Sequence, residues 1–143
     1  MKIWKQEFNL DGVNAMCSNT LVEHLAIKFT EVGEDYLIAE MPVTHQTVQP
    51  MRILHGGASV VLAETLGSVA SVLCLDDPTT HHAVGLDINA NHLRSVPEGG
   101  KVFGKVTPVH IGRTTHVWKI ELTNEAGKLT CVSRLTMMVR AAR

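Results

Sequence analysis

The hydrophobic positions change period twice along the chain, and those changes divide it. Leu37, Ala39 and Met41 share one parity within Tyr36–Pro42, which predicts a strand. A turn at Gly33-Glu34-Asp35 separates it from a second short segment, Ala26–Glu31. Val43–Leu54 follows no period and reads as irregular. Gly56–Leu75 is continuously apolar and predicts a helix, roughly 30 Å long at 1.5 Å per residue. The period then returns to two. Val84, Leu86, Ile88, Ala90 and His92 share one strand face, and Asp87, Asn89 and Asn91 the other. Pro97-Glu98-Gly99-Gly100 forms a turn before a strand over Lys101–Val109. Trp118, Ile120 and Leu122 alternate with Lys119 and Glu121. Asn124-Glu125-Ala126-Gly127 is a hairpin loop, after which Leu129, Cys131, Leu135, Met137 and Val139 share a face. One long helix followed by four strands joined mostly by turns predicts antiparallel pairing and an α+β layer arrangement.

Composition narrows the class. The 143 residues fit one domain, residues 1–143, with no repeat or linker. The formal net charge is −1, so the basic excess of a nucleic-acid binder is missing. Cys17, Cys74 and Cys131 lie far apart with no C-x-x-C, which argues against a disulfide framework or a zinc site and fits a reducing cytoplasm. The start, Met1 to Asp11, carries charges and no apolar run, so no signal peptide is expected. Ile53–Leu75 has the length of a membrane span, but Glu64 at its middle would cost about 2.5–3.5 kcal/mol to insert. A soluble, protein-buried helix is the expectation.

That helix carries the candidate chemistry. Glu64 is the only Asp, Glu, Lys or Arg between Ile53 and Leu75. A helix without a charged side is buried nearly all round. With Glu64 at zero, Ser68 falls at about +40° and Ser71 at about −20°, one narrow polar stripe. A stripe at the solvent edge would account for Glu64 without any function. A carboxylate facing a pocket would instead be positioned to act as a nucleophile or base. His55-Gly56-Gly57 begins the helix, where unsatisfied N–H groups carry partial positive charge and glycine admits close approach. Such amides can polarise a carbonyl.

Gln49-Pro50, then Leu54-His55-Gly56-Gly57-Ala58-Ser59 and Leu62-Ala63-Glu64-Thr65-Leu66-Gly67-Ser68, resemble the hotdog-fold thioesterases of the 4-hydroxybenzoyl-CoA thioesterase type. The resemblance covers nearly the whole chain. Ile3-Trp4-Lys5, the run Val84–His92 and Pro108–Gly112 are similar to the enzymes that hydrolyse 1,4-dihydroxy-2-naphthoyl-CoA in menaquinone synthesis. They are also similar to the proofreading thioesterases of enterobactin synthesis. The resemblance implies a hotdog fold, a long central helix wrapped by an antiparallel sheet, and hydrolysis of aromatic acyl-CoA thioesters without a cofactor or metal. Glu64 would be nucleophile or base, with Ser68 assisting. Gly56 N–H would polarise the thioester carbonyl, and His55 and Gln49 would position the thioester and assist departure of the thiolate. The site would be shared between subunits of a homodimer or homotetramer, Glu64 and Ser68 from one, Gln49, His55 and Gly56 from the other. Gly85, then His92, Leu93, Arg94 and Ser95, then His110, Ile111, Gly112, Arg113, Thr114 and Thr115 would border substrate and CoA.

Arg94, Arg113 and Arg140 are candidate phosphate partners, and positions 52 (Arg) and 69 (Val) are expected to line the pocket. An aryl carrier protein is a further candidate partner. His81-His82 read as solvent-exposed. Two other functions fit parts of the sequence. Asp87-x-Asn89-x-x-His92 echoes hotdog hydratases, but Asp87 and His92 lie on opposite faces of a regular strand. A non-catalytic acyl-CoA binding module would not need Glu64, His55 and Gln49 together.

Overall fold

The computed structural model describes all 143 residues. Two short helices, α1 (Leu10–Met16) and α2 (Leu21–His24), precede β1 (Lys28–Val32) and β2 (Leu37–Pro42). The long helix α3 (Gly56–Leu73) follows, then β3 (His81–His92), β4 (Lys101–Ile111), β5 (Thr115–Asn124) and β6 (Leu129–Ala141). The strands form one antiparallel sheet in the order β1-β2-β4-β5-β6-β3. This is the hotdog fold, with α3 laid against the sheet.

The alternation in the sequence becomes the core. Leu37, Ala39 and Met41 on β2 and Trp118, Ile120 and Leu122 on β5 are fully buried, facing Leu62, Ala63, Leu66 and Ala70 of α3. Gly104 and Gly67 let the layers close. A Cβ at Gly104 would lie 2.4 Å from Leu66 Cδ1, and one at Gly67 would lie 2.5 Å from Leu135 Cδ2. α3 is long and apolar enough to cross a membrane by length and composition, with 56% of its residues buried inside the protein. Its C-terminus is satisfied by the N-terminal segment. The Lys5 and Gln6 N–H groups donate to the Leu73 carbonyl at 2.8 and 3.2 Å, and Gln6 Nε2 donates to the Leu75 carbonyl.

Four sequence expectations are corrected. First, β3 is not the hairpin partner of β4; it pairs with β6, at the far edge of the sheet. Pro97–Gly100 therefore closes a crossover past the start of α3, where Leu54 N–H donates to the Val96 carbonyl at 2.8 Å. Second, the register of β3 shifts between Gly85 and Asp87, so Leu86 is an inserted residue and is 63% exposed. Such a bulge reverses the facing of all residues on one side of it. Gly85, not Val84 or Leu86, faces the helix together with Ile88 and Ala90. Third, α1 and α2 lie in a region where no helix is predicted. Their caps are ordinary side chains, Asn9 accepting from Gly12 N–H and Thr20 from Val22 N–H. Fourth, α3 ends at Leu73, with Cys74 as its cap.

Ser71 also leaves the polar stripe. It is fully buried, and its Oγ accepts from Trp118 Nε1–H at 2.7 Å and lies 3.1 Å from His116 Nδ1. Ser68, by contrast, is half-buried and its hydroxyl only approaches Met137 Sδ at 3.9 Å. Ser71→Ala leaves a buried indole N–H unpaired and is expected to cost about 1–3 kcal/mol, against less than about 0.5 kcal/mol for Ser68→Ala. Urea denaturation of the two variants measures the difference.

His116 gives the fold a pH dependence. Burial lowers its pKa below the ordinary 6.5, opposed by the Gly112 carbonyl and reinforced by His110. Between the lowered value and 6.5 the unfolded chain binds the extra proton, so stability rises with pH there. It is fully present above about pH 6.5 and falls as the pH drops below that. The urea midpoint should fall between pH 7 and pH 5, and the slope should be shallower in His116→Gln.

Candidate active site

The irregular segment before α3 is held by its own backbone. His55 N–H donates to the Thr47 carbonyl at 2.8 Å, Gln49 N–H to the Ile53 carbonyl at 2.9 Å, and Arg52 N–H to the Gln49 carbonyl at 2.8 Å. His55 is the N-cap of α3. Its Nδ1 accepts from Gly57 N–H at 2.8 Å, and its carbonyl accepts from Ala58 and Ser59. One amide in this first turn remains uncommitted: Gly56 N–H has no acceptor in the chain. The ring of His92, at the end of β3, lies against it, and a Cβ on residue 56 would come within 2.8 Å of His92 Nε2. A side chain at position 56 would therefore displace the His92 ring from this amide. Gln49, Gly56, His92, Leu93, Arg94 and Ser95 share one cleft of about 390 Å³. Arg94 is partly committed there, donating from Nη1 to the Leu129 carbonyl at 3.0 Å.

A second group sits at the middle of α3. Glu64 and Ser68 are half-buried on the one side of the helix the sheet leaves uncovered, with Val60, Val61, Thr65 and Val72. The β3 bulge turns Gly85 toward this group, so that a Cβ there would lie 2.6 Å from Glu64 Oε1. Met137 pairs with Gly85 and approaches Ser68. Glu64 makes no ion pair or hydrogen bond within the chain. Val69 is buried and faces inward rather than lining this surface. From sequence Met137 reads as a core or pocket-wall position, and it is buried beside Ser68.

The third group lies at the other end of the helix. Ile111, Gly112, Arg113, Thr114 and Arg140 line a cleft of about 770 Å³, with His110 packed on Gly112 and Thr115 opening β5 beside it. Lys5 and His116 line it too, and neither stood out in the sequence as a site residue. Lys5 Nζ is 3.6 Å from Asp76, which tempers its charge. His81 belongs to this wall as well, and is exposed as expected.

The three groups are strung along one helix and do not converge within the chain. Gly56 and Glu64 are eight residues apart, about 12 Å along the axis. The clefts at the two ends of α3 are separated by its length, roughly 27 Å. Arg52 does not line the cleft; it turns outward and forms a bidentate pair with Glu98, at 2.8 and 2.6 Å. Register is continuous from Asp87 to His92, so those two side chains stand on opposite faces and cannot act on one substrate as in a hydratase. The cysteines are free and buried, and burial pushes the Cys74 thiol up to about 12, far from a thiolate nucleophile.

Comparison with known proteins agrees with this geometry. Residues 51–131 match the thioesterase superfamily. The 1,4-dihydroxy-2-naphthoyl-CoA hydrolase of Escherichia coli K12 is 49% identical over 137 residues, covering 96% of this chain and 98% of that one. The proofreading thioesterase EntH of Cronobacter turicensis is 46% identical, covering 96% and 98%. Among solved structures, thioesterase HI1161 from Haemophilus influenzae superposes with a TM-score of 0.92 at 51% identity, covering 97% of this chain and 95% of that one. A long buried helix with a free amide at its start and a lone carboxylate on its open side, in a chain so similar to these proteins, leads to one assignment: the chain belongs to the thioesterase superfamily and is a thioester hydrolase of the hotdog fold.

Proposed function

We propose that this protein hydrolyses aromatic acyl-CoA thioesters in a site completed between two subunits. The observation that carries the reading is the spacing of about 12 Å between the free Gly56 N–H and the unpartnered Glu64. An oxyanion donor must stand about 3 Å from the carbonyl oxygen while the attacking group reaches the carbon. One chain cannot do both; a second copy running antiparallel can. The edge of β3 not paired to β6 offers the means. Antiparallel pairing of two β3 edges about an axis near Ile88–Asn89 would bring Gly85, and with it Glu64, beside His92 of the partner subunit.

The chemistry then follows from the groups. Gly56 N–H, at the positive end of α3, receives the charge that develops on the thioester oxygen. Gln49 and His55 position the thioester from the same side. Glu64 from the other subunit attacks the carbon, directly or through a water held by Ser68. The C–S bond breaks, water supplies OH to the acyl group and a proton to the thiol, and a carboxylic acid and free CoA are released. A thiol of pKa near 8.5 leaves without strong acid assistance, so no triad is required.

His92–Ser95 of one subunit and His110–Thr115 with Arg140 of the other would border the pantetheine and nucleotide. The aromatic preference is supported by the naphthoyl-CoA hydrolase relative and by the apolar Ile88 and Ala90, which share the His92 face of β3. An aryl carrier protein is the alternative bearer of the thioester, in keeping with the similarity to a proofreading thioesterase. Residues 1–143 act as one domain, in a dimer or a tetramer of such dimers, and three buried free thiols fit a cytoplasmic site of action.

Glu64→Gln should fold normally and lose at least about a hundredfold in kcat. Retention of more than a tenth of the wild-type kcat rejects its assigned role. His55→Ala should be similarly impaired. Mixing the two inactive proteins and allowing subunit exchange should restore one intact site per hybrid dimer, and no recovery would mean that the site is not shared.

On substrates, a hydrogen bond to a ring hydroxyl contributes about 0.5–1.5 kcal/mol, roughly a three- to tenfold preference. Hydroxylated benzoyl-CoA and dihydroxynaphthoyl-CoA should therefore exceed a medium-chain acyl-CoA in kcat/KM. A tenfold advantage for the medium-chain substrate overturns the aromatic reading.

A further inference from the structure

Arg52 is a bulky residue with φ of +60°, in the left-handed region that side chains rarely adopt. Something must hold it there. Its Nε donates to Glu98 Oε2 at 2.8 Å and its Nη2 to Glu98 Oε1 at 2.6 Å, while its carbonyl accepts from Glu98 N–H at 3.0 Å. Next to this clamp, Ile53 pairs with Pro97, and one residue further Leu54 N–H donates to the Val96 carbonyl. The loop before α3 is thus zipped to the crossover that follows β3. These two segments carry the opposite walls of the smaller cleft, Gln49 on one and Leu93, Arg94 and Ser95 on the other.

The same conformation governs Gln49. Arg52 N–H closes a turn on the Gln49 carbonyl at 2.8 Å, and Met51 N–H donates to Gln49 Oε1. A backbone N–H can be accepted only by the amide oxygen, so the orientation of this amide is determined. Its Nε2 protons have no partner in the chain, on a side chain that lines the cleft. If residue 52 relaxed to a right-handed conformation, the turn would open. Met51 N–H would leave the Gln49 oxygen, and the amide could rotate to present an acceptor where it now presents a donor.

We infer that the Arg52–Glu98 pair is a positioning device that fixes the Gln49 amide with its donor edge toward the thioester. The inference rests on the role proposed above for Gln49. An exposed ion pair adds little to stability, so its removal should disturb the geometry of the cleft far more than the fold.

The test measures kcat/KM for benzoyl-CoA and the melting temperature in the intact oligomer. The variants are Gln49→Ala, Arg52→Ala, Glu98→Gln, the double Gln49→Ala/Arg52→Ala, and the reversed pair Arg52→Glu/Glu98→Arg. Arg52→Ala and Glu98→Gln should each lower kcat/KM about tenfold, within the hundredfold that a 1 Å misplacement can cost, with melting temperatures close to wild type. Arg52→Ala should add nothing once Gln49 is alanine, since residues acting through one another are not additive. The reversed pair should regain most of the loss. Arg52→Ala within twofold of wild type, with Gln49→Ala impaired, overturns this inference and leaves the role of Gln49 standing. An additive double variant overturns it in the same way. A silent Gln49→Ala overturns both.

Discussion

Everything in this structure depends on how α3 is covered. It carries one charge in 18 residues, so it must be wrapped; a six-stranded sheet with β2, β3, β4, β5 and β6 against it does most of that. The wrapping is incomplete along one line, and on that line lie Glu64, Thr65 and Ser68. The helix therefore serves as the axis of the core on one side and as the floor of the candidate site on the other. Its two ends are treated differently. The C-terminal carbonyls are closed by Lys5 and Gln6, whereas the N-terminal Gly56 amide is left open. A buried or half-buried polar group without a partner is costly, and on one helix both a donor and a carboxylate stand unpartnered.

Much of this was legible in the residues. The parity of Leu37, Ala39 and Met41, and of Trp118, Ile120 and Leu122, gave correct burial, because each run lies on an uninterrupted strand in the middle of the sheet. The continuous apolar run of α3 could hardly be anything but a core helix once Glu64 was seen to be alone in it. Parity failed where the ladder is interrupted. The bulges at Leu86 and Val109 insert single residues, and a two-residue period cannot register an insertion that leaves no compositional trace. Val109, the last residue of the predicted strand, consequently points outward and is 60% exposed.

Strand order was less accessible. Adjacency in sequence favours hairpins, and Pro97-Glu98-Gly99-Gly100 looks like one. The pairing of β3 with β6, and of Ile53 and Leu54 with Pro97 and Val96, shows that this turn belongs to a crossover. The site residues were identifiable by type and spacing, but their separation into three groups was not. Angular arithmetic on the helix placed Ser71 beside Glu64; it could not know that His116 and Trp118 of β5 would reach over the stripe there and claim the hydroxyl. Likewise the family resemblance implied that Arg52 lines the pocket, whereas its left-handed backbone sends it toward Glu98.

The proposed arrangement also bears on which bond it can break. His55 has committed Nδ1 to the helix cap, so its ring is oriented by the fold rather than by a carboxylate partner, and no Asp or Glu stands behind it to stabilise an imidazolium. Proton delivery to a leaving group is consequently weak. A thiolate, whose conjugate acid has a pKa near 8.5, tolerates that. An alkoxide or an amine anion, far more basic, does not, because its departure depends on protonation in the transition state. The sulfur ester also leaves its carbonyl carbon more open to attack than an amide does, so one good backbone donor and one carboxylate suffice. Selectivity for thioesters thus follows from the modest acid chemistry of the site. In the proposed dimer, discrimination among acyl groups would be left to the apolar face of β3 and to the surface the second subunit lays over the open stripe of α3.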